Sequence, residues 1–246
     1  MKMIVLAGGQ RSTISDDAEG MPKPMLNIGG RPLLWHIMKH ASLCGVKEFI
    51  ICGGYKIDVI KDYFLDFYIY QSDIQVDTGS NIVRILDKNT EEWKVTVVDT
   101  GIETLPIERI KRVLDISGDE FLITYGDCLS DISLKSLEDT HRKEGKIITV
   151  AVARPSGRKM PLHFAGGNSA EWQDNDSTWT SAGVFLARKD AFTGETRNGD
   201  IEDILLQSTT AIYKHKGFFN TIETLRDKTA AEELWGNGKA PWMGVI

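Results

Sequence analysis

Lys2-Met3-Ile4-Val5-Leu6-Ala7-Gly8-Gly9-Gln10-Arg11-Ser12-Thr13 decides the fold. Met3–Ala7 is continuously apolar and then breaks at two glycines. A strand buried on both faces reads this way, and such strands belong to parallel sheets. Glycines at a strand exit carry no side-chain bulk, so backbone N–H groups can converge on a phosphate. A tight turn would use the same residues. The stretch is neither GxGxxG nor a Walker A sequence, which counts against a dinucleotide-binding or P-loop fingerprint.

Outward from that strand, helix and strand patterns alternate. Pro32–Cys44 places Leu34, Ile37, Met38, Ala41 and Cys44 on one helical face. Glu48–Cys52 reads as a strand ending in Gly53-Gly54, and Asp58–Phe67 as a helix. Val95–Val98, Phe121–Tyr125 and Ile147–Ala153 read as further strands, with Ser133 capping a helix to Glu144. Arg154–Trp179 is irregular and rich in Gly, Ser, Asn and Asp, as inserted loops and short hairpins are. Ala182–Ala187 and Ala211–His215 supply late strands, and Leu225–Trp235 a closing helix. The alternation predicts a single Rossmann-like α/β domain over residues 1–246, a mostly parallel mixed sheet flanked by helices. Ligands of such sheets lie beyond the carboxyl ends of the strands.

The 246 residues are 41% apolar and 26% charged, an ordinary globular composition. A net charge of −6 without a basic tract argues against a nucleic-acid partner. Apolar runs are too short for a membrane span, and nothing resembles a signal peptide. Cys44, Cys52 and Cys128 lack CxxC spacing and sit in apolar segments, as reduced thiols of a cytoplasmic protein do. The five histidines do not cluster at metal-ligand spacing.

Three charged positions stand out. In Pro22-Lys23-Pro24-Met25, flanking prolines predict an extended backbone that fixes where the Lys23 ammonium points, near the glycine exit in sequence. Solvation of Lys23 is the plainer alternative. Asp127, after Tyr125-Gly126, falls just past a strand's carboxyl end, where a carboxylate can hold magnesium together with phosphate oxygens or merely form a turn. Glu223 opens the last helix, as a dipole-favoured acid or as a second carboxylate for the same metal.

Together the segments resemble the sugar-phosphate nucleotidyltransferases, and among them the glucose-1-phosphate cytidylyltransferases. The resemblance runs from Lys2 to Trp242. It is carried by IVLAGG (Ile4–Gly9), PKPM (Pro22–Met25), GGRPLLWHIMK (Gly29–Lys39) and EFIICGGY (Glu48–Tyr55). VDTG (Val98–Gly101), YGD (Tyr125–Asp127), TLRDK (Thr224–Lys228) and LWGNGKAPW (Leu234–Trp242) complete it. The resemblance implies attack of an acceptor phosphate on the α-phosphorus of CTP with release of pyrophosphate. It implies a nucleotide-binding half, residues 1–150, and an acceptor-binding half with the C-terminal helix, residues 151–246. Leu6, Ala7, Gly8, Gly9, Gln10 and Gly126 would bind the nucleotide, with Lys23, Asp127 and Arg11 catalytic and Mg2+ held by Asp127 and Glu223.

The chain departs from the family at several motif positions, two of them cations. Thr13 stands where the family has an arginine, and Arg11 lies two residues earlier. The family's Glu-Lys-Pro is Asp174-Asn175-Asp176, the following Asn-Gly-Gly is Ser181-Ala182-Gly183, and a metal aspartate is Glu223. Of Gly-Arg-Phe-Gly only Gly157-Arg158 survives, followed by Lys159. Losing one charge-assisted contact to a phosphoryl group costs on the order of 10²–10³-fold in rate. Arg158, Lys159, Asp174, Asn175 and Ser181 are therefore the candidate acceptor contacts of a remodelled pocket. The alternative is a nucleotide-binding paralogue with a regulatory role and no turnover. The family also implies a homo-oligomer, with the apolar Ala240–Met243 either at a subunit contact or tethered to its own subunit.

Overall fold

In the computed structural model, seven strands form one sheet: β1 (Lys2–Ala7), β2 (Glu48–Gly53), β3 (Lys94–Asp99), β4 (Glu120–Tyr125), β5 (Ile148–Ala153), β6 (Thr180–Arg188) and β7 (Thr210–His215). The structure describes residues 1–9, 20–86, 90–154, 162–166, 169–172, 178–194, 199–207 and 210–244. The strand order is β7–β5–β6–β4–β1–β2–β3, and only β6 runs against its neighbours. The sheet is thus mostly parallel, as the strand patterns predict. In register, Leu6 of β1 sits between Cys52 of β2 and Tyr125 of β4. The exits of these three strands therefore lie side by side at one edge.

The helices are α1 (Leu33–Leu43), α2 (Ile57–Leu65), α3 (Phe67–Tyr70), α4 (Pro106–Lys111), α5 (Leu114–Ser117), α6 (Leu134–Glu144), α7 (Ile201–Gln207) and α8 (Leu225–Gly236). Alternate residues of β1 serve opposite faces of the sheet, as strand geometry requires. Met3, Val5 and Ala7 pack with Leu34, Met38 and Ala41 of α1, Ile60 of α2 and Leu137 of α6. Ile4 and Leu6 pack with Ile107 and Ile110 of α4 and Ile201 and Ile204 of α7. Burial on both sides explains why β1 reads as an unbroken apolar run.

Ser133 caps α6 as predicted, its hydroxyl accepting from Ser136 N at 3.2 Å. Two local readings need correction. The helix expected over Asp58–Phe67 ends at Leu65, because Asp66 turns away at φ −98°, ψ 3°, and α3 restarts beyond it. The backbone at Lys23 is not extended: Lys23–Met25 is a 3₁₀ turn, closed by Met25 N to Pro22 O at 2.8 Å and Leu26 N to Lys23 O at 3.1 Å. Only Pro22 keeps the extended conformation, at φ −62°, ψ 138°.

The C-terminal segment takes the tethered alternative. Trp242 is fully buried with Leu33 and Ile37 of α1 and Leu129. Its Nε1 donates to His36 Nδ1 at 3.2 Å, and its carbonyl meets His40 Nδ1 at 3.0 Å. Among the described residues, no helix is long and apolar enough to cross a membrane.

Candidate active site

A cleft of about 490 Å³ opens at the carboxyl edge of the sheet. Gly8 and Gly9 follow β1 on one side of it, and Tyr125, Gly126 and Asp127 close β4 on another. Lys23 and Glu223 also line it, so the structure brings together three charged candidates separated by up to 200 residues in the chain. Leu6 and Ala7 line it as well.

The two glycines after β1 have different reasons to be there. A Cβ on Gly8 would lie 1.9 Å from Nη1 of Arg109, so Gly8 makes room for a buried guanidinium. A Cβ on Gly9 would meet nothing within 4 Å, which leaves that backbone as the one presented to a ligand. Gly126 is fixed by a third approach. Its N–H donates to Leu6 O at 3.0 Å, and a Cβ there would fall 2.8 Å from the Pro24 ring. The exits of β1 and β4 and the Lys23 turn are packed into one wall.

Within that wall Lys23 Nζ donates to Asp127 Oδ2 at 3.1 Å, with both side chains partly exposed to the cleft. The other Asp127 oxygen, Oδ1, accepts from the Cys128 thiol at 3.5 Å. Burial, and then the neighbouring Asp127 charge, push the Cys128 thiol well up, so it stays a protonated donor. Cys52 is likewise pushed up to about 12 by burial and offers no nucleophile.

Glu223 is brought to Asp127 through the backbone, Ile222 N donating to Asp127 O at 2.9 Å. It stands one residue before Thr224, the N-cap of α8. The first-turn acid of that helix is Asp227, whose Oδ2 accepts from the Glu223 and Thr224 N–H groups and from the Thr224 hydroxyl. Of these two acids Asp227 serves the cap and Glu223 lines the cleft.

Asp127, Glu223 and Glu103 line the cleft, and two carboxylates are enough for a magnesium ion, which takes one or two from a protein and completes its shell with phosphate oxygens and water. Among the described residues, no group of three or more His, Cys, Asp or Glu side chains could form a cage for a metal. That donor set suits a cation arriving with a polyphosphate.

The cleft wall from Ile102 to Pro106 and Arg109 was not indicated by the sequence. Arg109 on α4 is 4% exposed and donates to Gly8 O at 2.6 Å, Gly53 O at 3.1 Å, Thr100 Oγ1 at 2.7 Å and Ile102 O at 3.0 Å. One side chain therefore ties the exits of β1, β2 and β3. Burial lowers its pKa, yet a guanidinium keeps its charge. Among the described residues it pairs with no carboxylate, so a positive charge stands behind the glycine exit. In sequence it hides among Glu108, Lys111 and Arg112, a run that reads as a solvated helix face.

The remaining predicted residues divide into two groups. Gln10, Arg11, Thr13, Arg158, Lys159, Asp174 and Asn175 lie outside the described residues. Ser181 is described: it pairs with Val152 near the carboxyl end of β5, and its hydroxyl accepts from Gly183 N at 3.3 Å. It is on the site's side of the sheet without lining the cleft.

The cleft thus brings a glycine strand exit, a lysine and acidic side chains together at the carboxyl edge of the sheet. A family model described as the MobA-like NTP transferase domain matches residues 3–177. The chain belongs to that family and, within it, to the sugar-phosphate nucleotidyltransferases. It is 38% identical over 255 aligned positions to glucose-1-phosphate cytidylyltransferase of Salmonella typhimurium, covering 98% of each chain. It is 32% identical to a probable glucose-1-phosphate cytidylyltransferase of Bacillus subtilis, covering 98% of this chain and 99% of the other. The crystal structure of HddC from Yersinia pseudotuberculosis complexed with GMP-PN shares the fold. Its TM-score is 0.67 at 17% identity, covering 95% of this chain and 99% of that one.

Proposed function

We propose that this nucleotidyltransferase moves CMP from CTP to a sugar 1-phosphate, or to a related phosphate or phosphonate acceptor, and releases pyrophosphate. The observation that carries the reading is the meeting of Gly9, Lys23, Asp127 and Glu223 on one cleft. The choice of CTP rests on the full-length similarity to cytidylyltransferases.

In this reading an acceptor phosphate oxygen forms a bond to the α-phosphorus while the bond from that phosphorus to the pyrophosphate oxygen breaks. No covalent link to the protein is needed, so the chain's contribution is alignment and charge neutralisation. The backbone at Gly8 and Gly9 orients the triphosphate. Lys23 exchanges its Asp127 partner for a phosphoryl oxygen as charge grows there. Asp127 and Glu223 would hold a magnesium ion, which when bound supplies Lewis-acid stabilisation to phosphate oxygens. Arg11, Arg158 and Lys159 are the cations proposed to offset the family cations absent at Thr13 and Asn175.

The test is pyrophosphate release with CTP, UTP, ATP or GTP, magnesium and a panel of phosphorylated acceptors. Release with CTP and one acceptor is expected. Release only with another nucleotide would overturn the base assignment. CTP binding seen by calorimetry, with no release on any acceptor, would assign the chain a binding or regulatory role instead.

A further inference from the structure

Asp127 is held by both of its carboxylate oxygens. Lys23, which lines the cleft, donates to Oδ2 at 3.1 Å, and the Cys128 thiol donates to Oδ1 at 3.5 Å. Cys128 is only 8% exposed. It opens a two-stranded ribbon, Cys128–Ser130 paired antiparallel with Phe219–Thr221, in which it stands opposite Thr221. Thr221 lies two residues before Glu223, and its side chain is a second polar neighbour of the sulfur. The thiol therefore sits where the two segments that carry the cleft carboxylates are joined.

The neighbouring strand β6 is shaped to this sulfur. A Cβ on Gly183 would lie 2.9 Å from Cys128 Sγ and 3.0 Å from Cδ2 of Tyr125, and the φ of +67° there is one that glycine adopts without strain. Glycine lets β6 pack against the sulfur, so the backbone as well as the side chain limits where the thiol can point. An S–H group is a weak and neutral donor, and an ionised carboxylate only accepts. Neutrality matters beside a site for a divalent cation. A second lysine on Oδ1 would compete with the metal for the Asp127 charge, whereas a thiol orients the carboxylate and leaves its charge in place. Metal-binding carboxylates are themselves commonly hydrogen-bonded, and loss of such a partner costs about 10–100-fold in metal affinity or activity.

We infer that Cys128 is a positioning residue for the metal site: its thiol keeps Oδ1 of Asp127 while Oδ2 passes from Lys23 to a magnesium ion arriving with the nucleotide. The inference rests on the proposed role of Asp127. Cys128 is not among the residues that line the cleft, so it acts through the carboxylate and not on the nucleotide or the acceptor.

The test is calorimetric titration of CTP into the full chain without acceptor, once in magnesium and once in EDTA. The chains compared are wild type, Asp127→Asn, Cys128→Ala, Cys128→Val and Cys128→Ser, and the readout is the factor by which magnesium tightens CTP binding. Cys128→Ala removes volume, Cys128→Val adds it, and neither side chain can donate. Both are expected to cut that factor by about 10-fold while the affinity in EDTA stays at the wild-type value. Cys128→Ser keeps a donor and should restore the factor at least in part. A packing role would follow side-chain volume. Ala and Val variants that keep the wild-type factor, or a Ser variant that loses as much as Ala, would therefore overturn the inference. Asp127→Asn separates this outcome from failure of the reading beneath it. A magnesium effect that survives Asp127→Asn would remove the carboxylate from the metal site and the positioning role with it. An effect lost in Asp127→Asn but kept in Cys128→Ala and Cys128→Val would overturn the role of Cys128 alone.

Discussion

Lys23 Nζ lies 3.1 Å from Asp127 Oδ2, so the cation proposed for phosphate and the carboxylate proposed for magnesium are each other's partners. Their side chains are 31% and 25% exposed, and partly hydrated pairs of this kind contribute about 1 kcal/mol or less to stability. In the proposed reaction the pair pre-positions two groups that the nucleotide and its metal would separate.

Asp127→Asn and Lys23→Met are therefore expected to lower pyrophosphate release by on the order of 10²–10³-fold or more. Neither should change the free energy of unfolding by more than about 1 kcal/mol. Urea titrations run beside the activity assay check this. Unchanged activity in Asp127→Asn would remove that residue from the metal site, and a loss of several kcal/mol would make the pair structural.

Arg109 and Gly8 form the second relationship with consequences. Replacing Arg109 by Met leaves the buried Gly8 carbonyl without its donor, at ~1–3 kcal/mol, while Gly53 O keeps the N–H and hydroxyl of Thr100. Gly8→Ala should displace the same guanidinium, since the new Cβ would sit 1.9 Å from it. Gly9→Ala meets no atom within 4 Å and should leave the fold's stability unchanged. Thermal melts of the three variants would show two low midpoints and one near wild type. Equal midpoints for the two glycine variants would mean the guanidinium relocates freely.

The unequal roles of Gly8 and Gly9 show where the sequence was legible and where it was not. The sheet was readable because β1, β2, β4 and β5 are buried on both faces, and period and apolarity then coincide. The place of Asp127 at the carboxyl edge was readable because a strand exit is a local pattern, whereas the prolines around Lys23 pointed to an extended backbone and the chain makes a 3₁₀ turn there. Arg109 was not readable, because its significance comes from three strand exits distant in sequence, and a charged residue between Ile107 and Ile110 looks like any amphipathic helix. The hairpin at Ile74–Ile85 was missed for a different reason. All eight of its strand residues are exposed, so no core imposes a burial period on them.

The histidines around α1 and α6 predict how stability responds to acid. Burial holds His36, His40 and His141 below the usual 6.5. The carbonyls of Ile28 at His36 and of Ile132 and Trp242 at His40, with the charges of Asp131 and Glu120, oppose that shift. Arg31, His215, Arg142 and Arg188 reinforce it. Unfolded imidazoles take up protons near pH 6.5 while the folded ones do so only lower. The unfolded state then binds more protons across that window, so stability is complete above about 6.5 and is lost as pH falls towards the folded values. Melting temperature should decline between pH 7 and 5. Since Trp242 Nε1 donates to His36 Nδ1, His36→Gln should flatten part of that decline. A profile independent of pH in this range would contradict the assignment.

The last prediction concerns the acceptor. Asn175 stands between Asp174 and Asp176, where the family's Glu-Lys-Pro would offer a cation to the sugar phosphate. An amide flanked by two acids cannot neutralise a phosphate dianion, so a working enzyme must draw that charge from elsewhere or take an acceptor that needs less of it. If this substitution sets acceptor choice, Asn175→Lys should restore part of a charge-assisted contact, raising kcat/KM for glucose 1-phosphate by on the order of 10-fold or more. The KM for CTP should be unaffected, because the change is confined to acceptor binding. Steady-state kinetics with each substrate varied in turn separates the two. An unchanged kcat/KM for glucose 1-phosphate would remove residue 175 from acceptor selection and shift attention to Arg158 and Lys159.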